Sequence, residues 1–364
     1  MKKYESLNGL RAFAAIGIVI MHVRANIDVS TSNIFIYKNI ISQMSDFVFL
    51  FMMVSAFSLC CGYYERFKSG SITPDVFYRR RYSRILPFFA ILVLISVLIP
   101  HTPNKAAIAR SSQFLGTSGF SGFTESVIEG LTELTLGYGL IPNMTLSIMG
   151  VGWFLGVIFL FYMIFPFFVF MMDNKKRAWI SFVIMNMLCF FCINYFFSEK
   201  FISFNAIPRS FLYNIPFFAW GGLIYLYKDQ IESFLKTKHI FALIVCVALT
   251  ILYWLSFSVK DGFNGVLIIS VVMGAWLMYS IGCPSKIMHN KFIDYISGIS
   301  MEIYLCHMMS FRAVQYLHIS NYISNVHVAY IVVSVLTLCV AIAFSHFVKY
   351  VLLARIGLLF NKNN

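Results

Sequence analysis

Residues 7–22 read LNGLRAFAAIGIVIMH. The run is apolar almost throughout, yet Arg11 stands near its start and His22 closes it. At 3.6 residues per turn, a spacing of eleven is about 1100°, close to three full turns, so both side chains share one helix face, roughly 16 Å apart along the axis. An ionisable group inside a membrane is costly and marks function by default. Arg11 belongs near the cytoplasmic surface and His22 deeper or toward the outer end, a line that leads from one side of the membrane toward the other. The plainer readings are an arginine reaching back to the headgroups and a histidine packed between helices.

The rest of the chain is built in the same way. Hydrophobic residues make up 59% of its 364 residues and charged residues 12%, whereas a soluble domain is nearer about a quarter charged. Mean hydropathy is +0.78. Apolar runs long enough to cross a bilayer fall near 10–28, 44–63, 85–100, 150–172, 178–197, 209–227, 239–257, 264–282, 295–311 and 327–352. In lipid every backbone polar group needs an internal partner, so these runs are expected to be helices. The expectation is an all-α integral membrane protein, a bundle of about ten transmembrane helices. A single domain over 1–364 is expected, with no appended soluble domain.

Charge sets the orientation. With the N-terminus cytoplasmic, the outer side holds only Arg24, Lys38, Lys105, Arg110, Lys200, Arg209, Lys260 and Arg312 of the 28 Lys and Arg. That asymmetry places both termini in the cytoplasm. The net charge of +13 then reflects this bias and anionic headgroups, and calls for no nucleic acid. Lys2 and Lys3 before an apolar run resemble a secretory leader, but no small-residue cleavage site follows, so the run reads as a retained span. The eight cysteines fall mostly within spans and read as small apolar fillers. No histidine spacing suits a metal, and none is expected.

Three further stretches carry polar groups. FYRRRYSRILP at 77–87 sets Arg81 and Arg84 three apart, on one face of a helix entering the membrane. Guanidinium forks bind phosphate bidentately, so the pair suits a pyrophosphate; the plainer reading is a positive-inside anchor. GISMEIYLCH at 298–307 lines Ser300, Tyr304 and His307 along one face, with Glu302 pointing elsewhere. Asp46 opens the second span at about the depth of His22. It could orient that ring, or simply cap its helix. Ser55 and Ala56 lie further along, where small residues allow close packing or line a cavity. Within the polar stretch 101–149, ESVIEGLTELTLG is a short amphipathic pattern, either a surface or re-entrant helix or a connector.

Together these motifs resemble the acyltransferase-3 family of membrane acyltransferases, which modify cell-surface glycans and other extracytoplasmic acceptors. LNGLRAFAAIGIVIMH is similar to the family's L-[DN]-G-L-R-x10-H opening. The family's catalytic histidine would fall on His22 and its basic partner on Arg11. VFLFMMVSAF resembles V-x-L-F-F-x-x-S-G-F through Ser55, with Ala56 at the glycine. RYSRILP matches R-x-x-R-[IL]-x-P on Arg81, Arg84 and Pro87. WFLGVIFLFYMIFP at 153–166 resembles W-x-L-x-x-E-x-x-F-Y-x-x-x-P through Trp153, Phe161, Tyr162 and Pro166, with Ile158 where the family has glutamate. GISMEIYLCH resembles G-x-x-S-Y-x-[IL]-Y-L-x-H on Ser300, Tyr304 and His307, with Met301 at the first tyrosine.

The resemblance implies a multi-pass protein of a bacterial cytoplasmic membrane. Acyl-CoA, usually acetyl-CoA, is the implied donor from the cytoplasm, and a sugar hydroxyl of a glycan outside is the implied acceptor. Some members add an SGNH-type domain, and none is expected here. In the expected mechanism Arg81 and Arg84 grip the donor phosphates, Arg11 meets the pantetheine arm, and His22 is general base, or less directly accepts the acyl group itself. Trp153, Tyr162, Ser55, Ser300, Tyr304 and His307 complete the pocket. The rival class is a transporter or flippase of a lipid-linked glycan, which would also place charges inside spans. A glycan polymerase is a second rival, but it would show an arginine-rich outer loop.

Overall fold

The computed structural model describes residues 4–27, 34–98, 122–140, 146, 148–196, 208–255 and 262–355. Its regular structure is helical, with no strand among the described residues. The helices are α1 (Leu7–Ala25), α2 (Phe47–Leu59), α3 (Glu65–Lys68), α4 (Pro74–Leu98), α5 (Gly122–Leu134), α6 (Trp153–Met171) and α7 (Lys175–Phe191). They continue with α8 (Phe211–Leu226), α9 (Lys228–Leu255), α10 (Gly262–Gly282), α11 (Lys291–Gly298), α12 (Ser300–Gln315) and α13 (Val326–His346). A π turn and a 3-10 turn lead into α2, and a second π turn, Cys60–Tyr64, joins it to α3.

Among the described residues, every apolar run expected to span a membrane falls mainly on helix. Eight helical stretches among the described residues are long and apolar enough to cross. The remaining two runs fall on α8, a shorter apolar helix, and on α11 and α12, which meet at Ile299. Local chemistry sets several boundaries. Asn174, Asn290 and Asn325 cap α7, α11 and α13 by accepting from backbone amides of the first turn. Within α9 the backbone breaks from helix at Lys238 (φ −119°, ψ 24°). The break separates a polar segment from the apolar one, where hydropathy places the start of a span.

The chain forms two compact units, residues 1–61 with 220–364, and residues 62–219. In the first unit α1 is the central helix. It packs against α2, α10, α11, α12 and α13. Its small residues permit this: a Cβ on Gly9 would lie 2.7 Å from the Met288 Cα, and one on Gly17 would lie 2.5 Å from the Phe47 ring. In the second unit Phe77, Phe161, Phe165, Phe168, Phe217 and Phe218 are wholly or almost wholly buried and form an aromatic core. Other helices turn apolar side chains outward. Trp179, Ile180, Ile184 and Met187 on α7, and Ile240, Phe241, Ile244 and Leu252 on α9, are exposed. Apolar faces of that breadth suit lipid, not water.

Helix α5 forms within the stretch read as amphipathic and packs on α4. Its polarity is inverted. Glu129 and Glu133 are buried, while Phe123 and Leu131 are exposed. Glu133 accepts from the backbone amides of Ile148 (3.1 Å) and Met149 (3.0 Å), so its carboxyl group ties down the segment just ahead of α6.

Candidate active site

Helix α1 carries Arg11 and His22, both half-buried. Arg11 Nη2 donates to Ser58 Oγ on α2 at 2.6 Å. His22 Nδ1 lies 2.9 Å from the carbonyl oxygen of Ile18, one turn back on its own helix. A carbonyl only accepts, so Nδ1 carries the proton, and the neutral ring keeps its lone pair on Nε2. Beside it stands His307 of α12, with ring centroids 4.7 Å apart and ring planes at 57°. His307 is wholly buried. Its Nδ1 sits 2.5 Å from the Tyr304 carbonyl oxygen, so it adopts the same tautomer. Its Nε2 has no hydrogen-bond partner among the described residues. Helix α1 and helix α12, on the ninth apolar run, thus bring together two imidazoles, each with its acceptor nitrogen left over.

Tyr304 joins this pair through its ring as well, 5.8 Å from His307 and 6.3 Å from Phe51 of α2. Ser300, at the start of the same helix, donates to the Ser297 carbonyl at 2.9 Å. Glu302 points elsewhere and pairs with Lys349 Nζ at 2.5 Å. Asp46 accepts from the Tyr253 hydroxyl of α9 and from Ser45 Oγ, while the bond that orients His22 runs to Ile18. Ser55 is half-buried on α2. Its neighbour Ala56 is buried and packs on Gly221: a Cβ added there would lie 2.6 Å from the Ala56 Cβ and 2.5 Å from the Met53 carbonyl oxygen. The alanine is accommodated because the facing helix supplies the glycine.

The other motif residues lie in the second unit. Arg81 donates from Nη2 to the Tyr63 hydroxyl at 2.7 Å, and Arg84 is exposed on the same helix. Trp153 opens α6, half-buried, with its ring 6.3 Å from Phe154. Tyr162 is buried with its ring 6.4 Å from Phe77. Ile158 is 2% exposed; no acid occupies that apolar position. Sequence reading passed over Ser58, Tyr63, Tyr253 and Glu133. Only Ser58 left a local signal, a second serine one turn beyond Ser55 in an apolar run.

Outward apolar faces, helices of membrane-crossing length and a polar pair enclosed among them define an all-helical, multi-pass membrane protein. The model of the acyltransferase-3 family, described as an acyltransferase domain, matches residues 4–346, and the chain belongs to that family. It is therefore an acyltransferase and not the transporter, flippase or polymerase that intramembrane charge alone left open. Comparison with curated proteins gives no match, and comparison with solved structures gives none.

Proposed function

We propose that this acyltransferase moves an acyl group, acetyl in the first instance, from cytoplasmic acyl-CoA to a hydroxyl of an extracytoplasmic or cell-surface glycan, with His22 as general base. The observation that carries the reading is the His22 ring, whose Nδ1 is committed to the Ile18 carbonyl while Nε2 keeps its lone pair. Nε2 takes the proton of the acceptor hydroxyl as its oxygen attacks the thioester carbonyl. The tetrahedral centre then collapses, the carbon–sulfur bond breaks, and the leaving thiolate takes the proton back from the imidazolium. The lone pair of His307 beside it steadies the positive charge while it lasts. Arg11 stands about three turns away on the same face, where the donor's pantetheine arm is expected. Arg81 and Arg84 are the residues proposed to hold the donor's phosphates. The membrane is proposed to be a bacterial cytoplasmic membrane, with both termini inside.

Labelled acetyl-CoA supplied to inside-out vesicles tests this. The wild type should pass label to a glycan fraction inside the vesicles. His22→Ala should slow transfer by about a hundredfold or more, the scale of a lost general base. Transfer by His22→Ala at the wild-type rate would remove the mechanism. Transfer from a longer acyl-CoA but not from acetyl-CoA would revise the donor alone.

A further inference from the structure

Two guanidinium groups share one phenol in the second unit. The Arg81 guanidinium carbon lies 4.9 Å from the Tyr63 ring centroid, and that of Arg66 lies 5.6 Å from the same centroid. The ring is held, not loose. It is 8% exposed and meets Phe77 edge-on at 4.9 Å. Phe77 is itself wholly buried and stacks on Phe165 at 5.3 Å. Arg66 and Arg81 form no ion pair among the described residues, so two guanidinium charges border one ring with no carboxylate paired to either. The Tyr63 oxygen accepts from Arg81, and its own proton has no acceptor among the described residues. The Arg81 Nε is buried and also has none. A buried guanidinium N–H left without an acceptor is costly, and an anion seated beside the ring would supply one.

We infer that Arg66, Arg81 and Tyr63 form one site for a phosphate-ester anion, with the exposed Arg84 at its rim. The inference rests on the donor reading above for Arg81 and extends it to two residues outside the family motif. The π turn Cys60–Tyr64 immediately precedes α3, the short helix that carries Arg66. Turns of this kind re-register a helix and recur at functional sites. Two sources offer the right chemistry: the phosphates of the acyl-CoA donor, or the headgroup of an anionic phospholipid at the same surface.

The test uses the full chain in nanodiscs of phosphatidylcholine, with and without phosphatidylglycerol. Binding of coenzyme A is measured by calorimetry, and retention of phosphatidylglycerol by native mass spectrometry. Arg66→Gln keeps size and polarity and removes the charge; Tyr63→Phe keeps the ring and removes the hydroxyl. If the donor fills the site, Arg66→Gln weakens coenzyme A binding about tenfold, the scale of one charge-assisted hydrogen bond, and Tyr63→Phe weakens it by less. If lipid fills it, coenzyme A binding stays and retained phosphatidylglycerol falls. Unchanged coenzyme A binding and unchanged lipid retention in Arg66→Gln overturn the site, even where Arg81→Gln loses coenzyme A. A wild type that binds no coenzyme A but holds phosphatidylglycerol through Arg66 keeps the site and removes the donor reading.

Discussion

His307 is wholly buried, and one of its ring nitrogens lacks a partner among the described residues. A buried polar atom left unsatisfied costs about 1–3 kcal/mol. A leucine would fill that space without the cost, so packing alone does not account for an imidazole there. If the ring steadies charge on His22, His307→Leu should leave the protein folded and lower kcat about tenfold or more, the equivalent of about 1.4 kcal/mol of barrier, with little change in KM for the donor. Steady-state kinetics in vesicles would show this, and an unchanged kcat would reduce His307 to packing. Glu133 raises a different question. Burial pushes its carboxyl up to about 8, with Glu129 adding to the rise and the Ile148 and Met149 amides opposing it. The unfolded chain releases that proton near the ordinary value of 4.5. Between these values the folded protein holds a proton that the unfolded chain has lost, so stability falls as pH rises across this window and levels off above it. Glu133→Gln is neutral throughout and still offers the amides an acceptor. Thermal unfolding in detergent at about pH 5 and about pH 9 should show a lower Tm at the higher pH for the wild type and a smaller drop for the variant. An equal drop in both would exclude Glu133 as the source.

At the scale of elements, the N-terminal end of α1 is fastened by polar bonds. Asn8 donates to Asp294 Oδ1 of α11 at 2.8 Å, and His289 Nδ1 lies 2.8 Å from the same oxygen. The Asn8 of the opening motif therefore fastens α1, the helix that presents His22, to α11. Asp294→Ala leaves the Asn8 amide without this bond and should cost about 1–3 kcal/mol of stability, read as a lower Tm, with kcat per folded molecule preserved. A large loss of kcat in well-folded protein would mean that this end of α1 takes part in turnover. The pairing of Asn8 with Asp294 was not legible, because it joins residues 286 apart and no local period announces it. The histidine pair was half legible. Spacing put Arg11 and His22 on one face, and Ser300, Tyr304 and His307 on another, but only folding could set the two faces together. Helix α5 was legible as a helix, but which of its faces is buried was not, for a physical reason. Its period is helical whichever face is buried, and here Phe123 and Leu131 turn outward while Glu129 and Glu133 turn in.

For the whole molecule, the number of crossings depends on helices that look too short. At 1.5 Å per residue, the 16 residues of α8 reach about 24 Å, less than the roughly 30 Å of a hydrocarbon core. Helix length has to match the bilayer only where lipid surrounds the helix. Much of α8 is buried in protein: Phe217 and Ala219 are fully buried, and Leu223 and Ile224 are each 3% exposed. Hydropathy alone located this run in the sequence, yet it cannot say whether a short buried helix crosses. If α8 crosses as the proposed orientation requires, Arg209 lies on the arginine-poor side and Lys236 on the lysine- and arginine-rich one. With the native cysteines replaced, Arg209→Cys should react with a membrane-impermeant maleimide only from outside intact cells, and Lys236→Cys only in inside-out vesicles. Both positions are exposed on the protein, so poor access would not imitate either result. Labelling of both from one side would make α8 re-entrant. The termini would then lie on opposite faces of the membrane, and the route from a cytoplasmic donor to an outer acceptor would have to be redrawn.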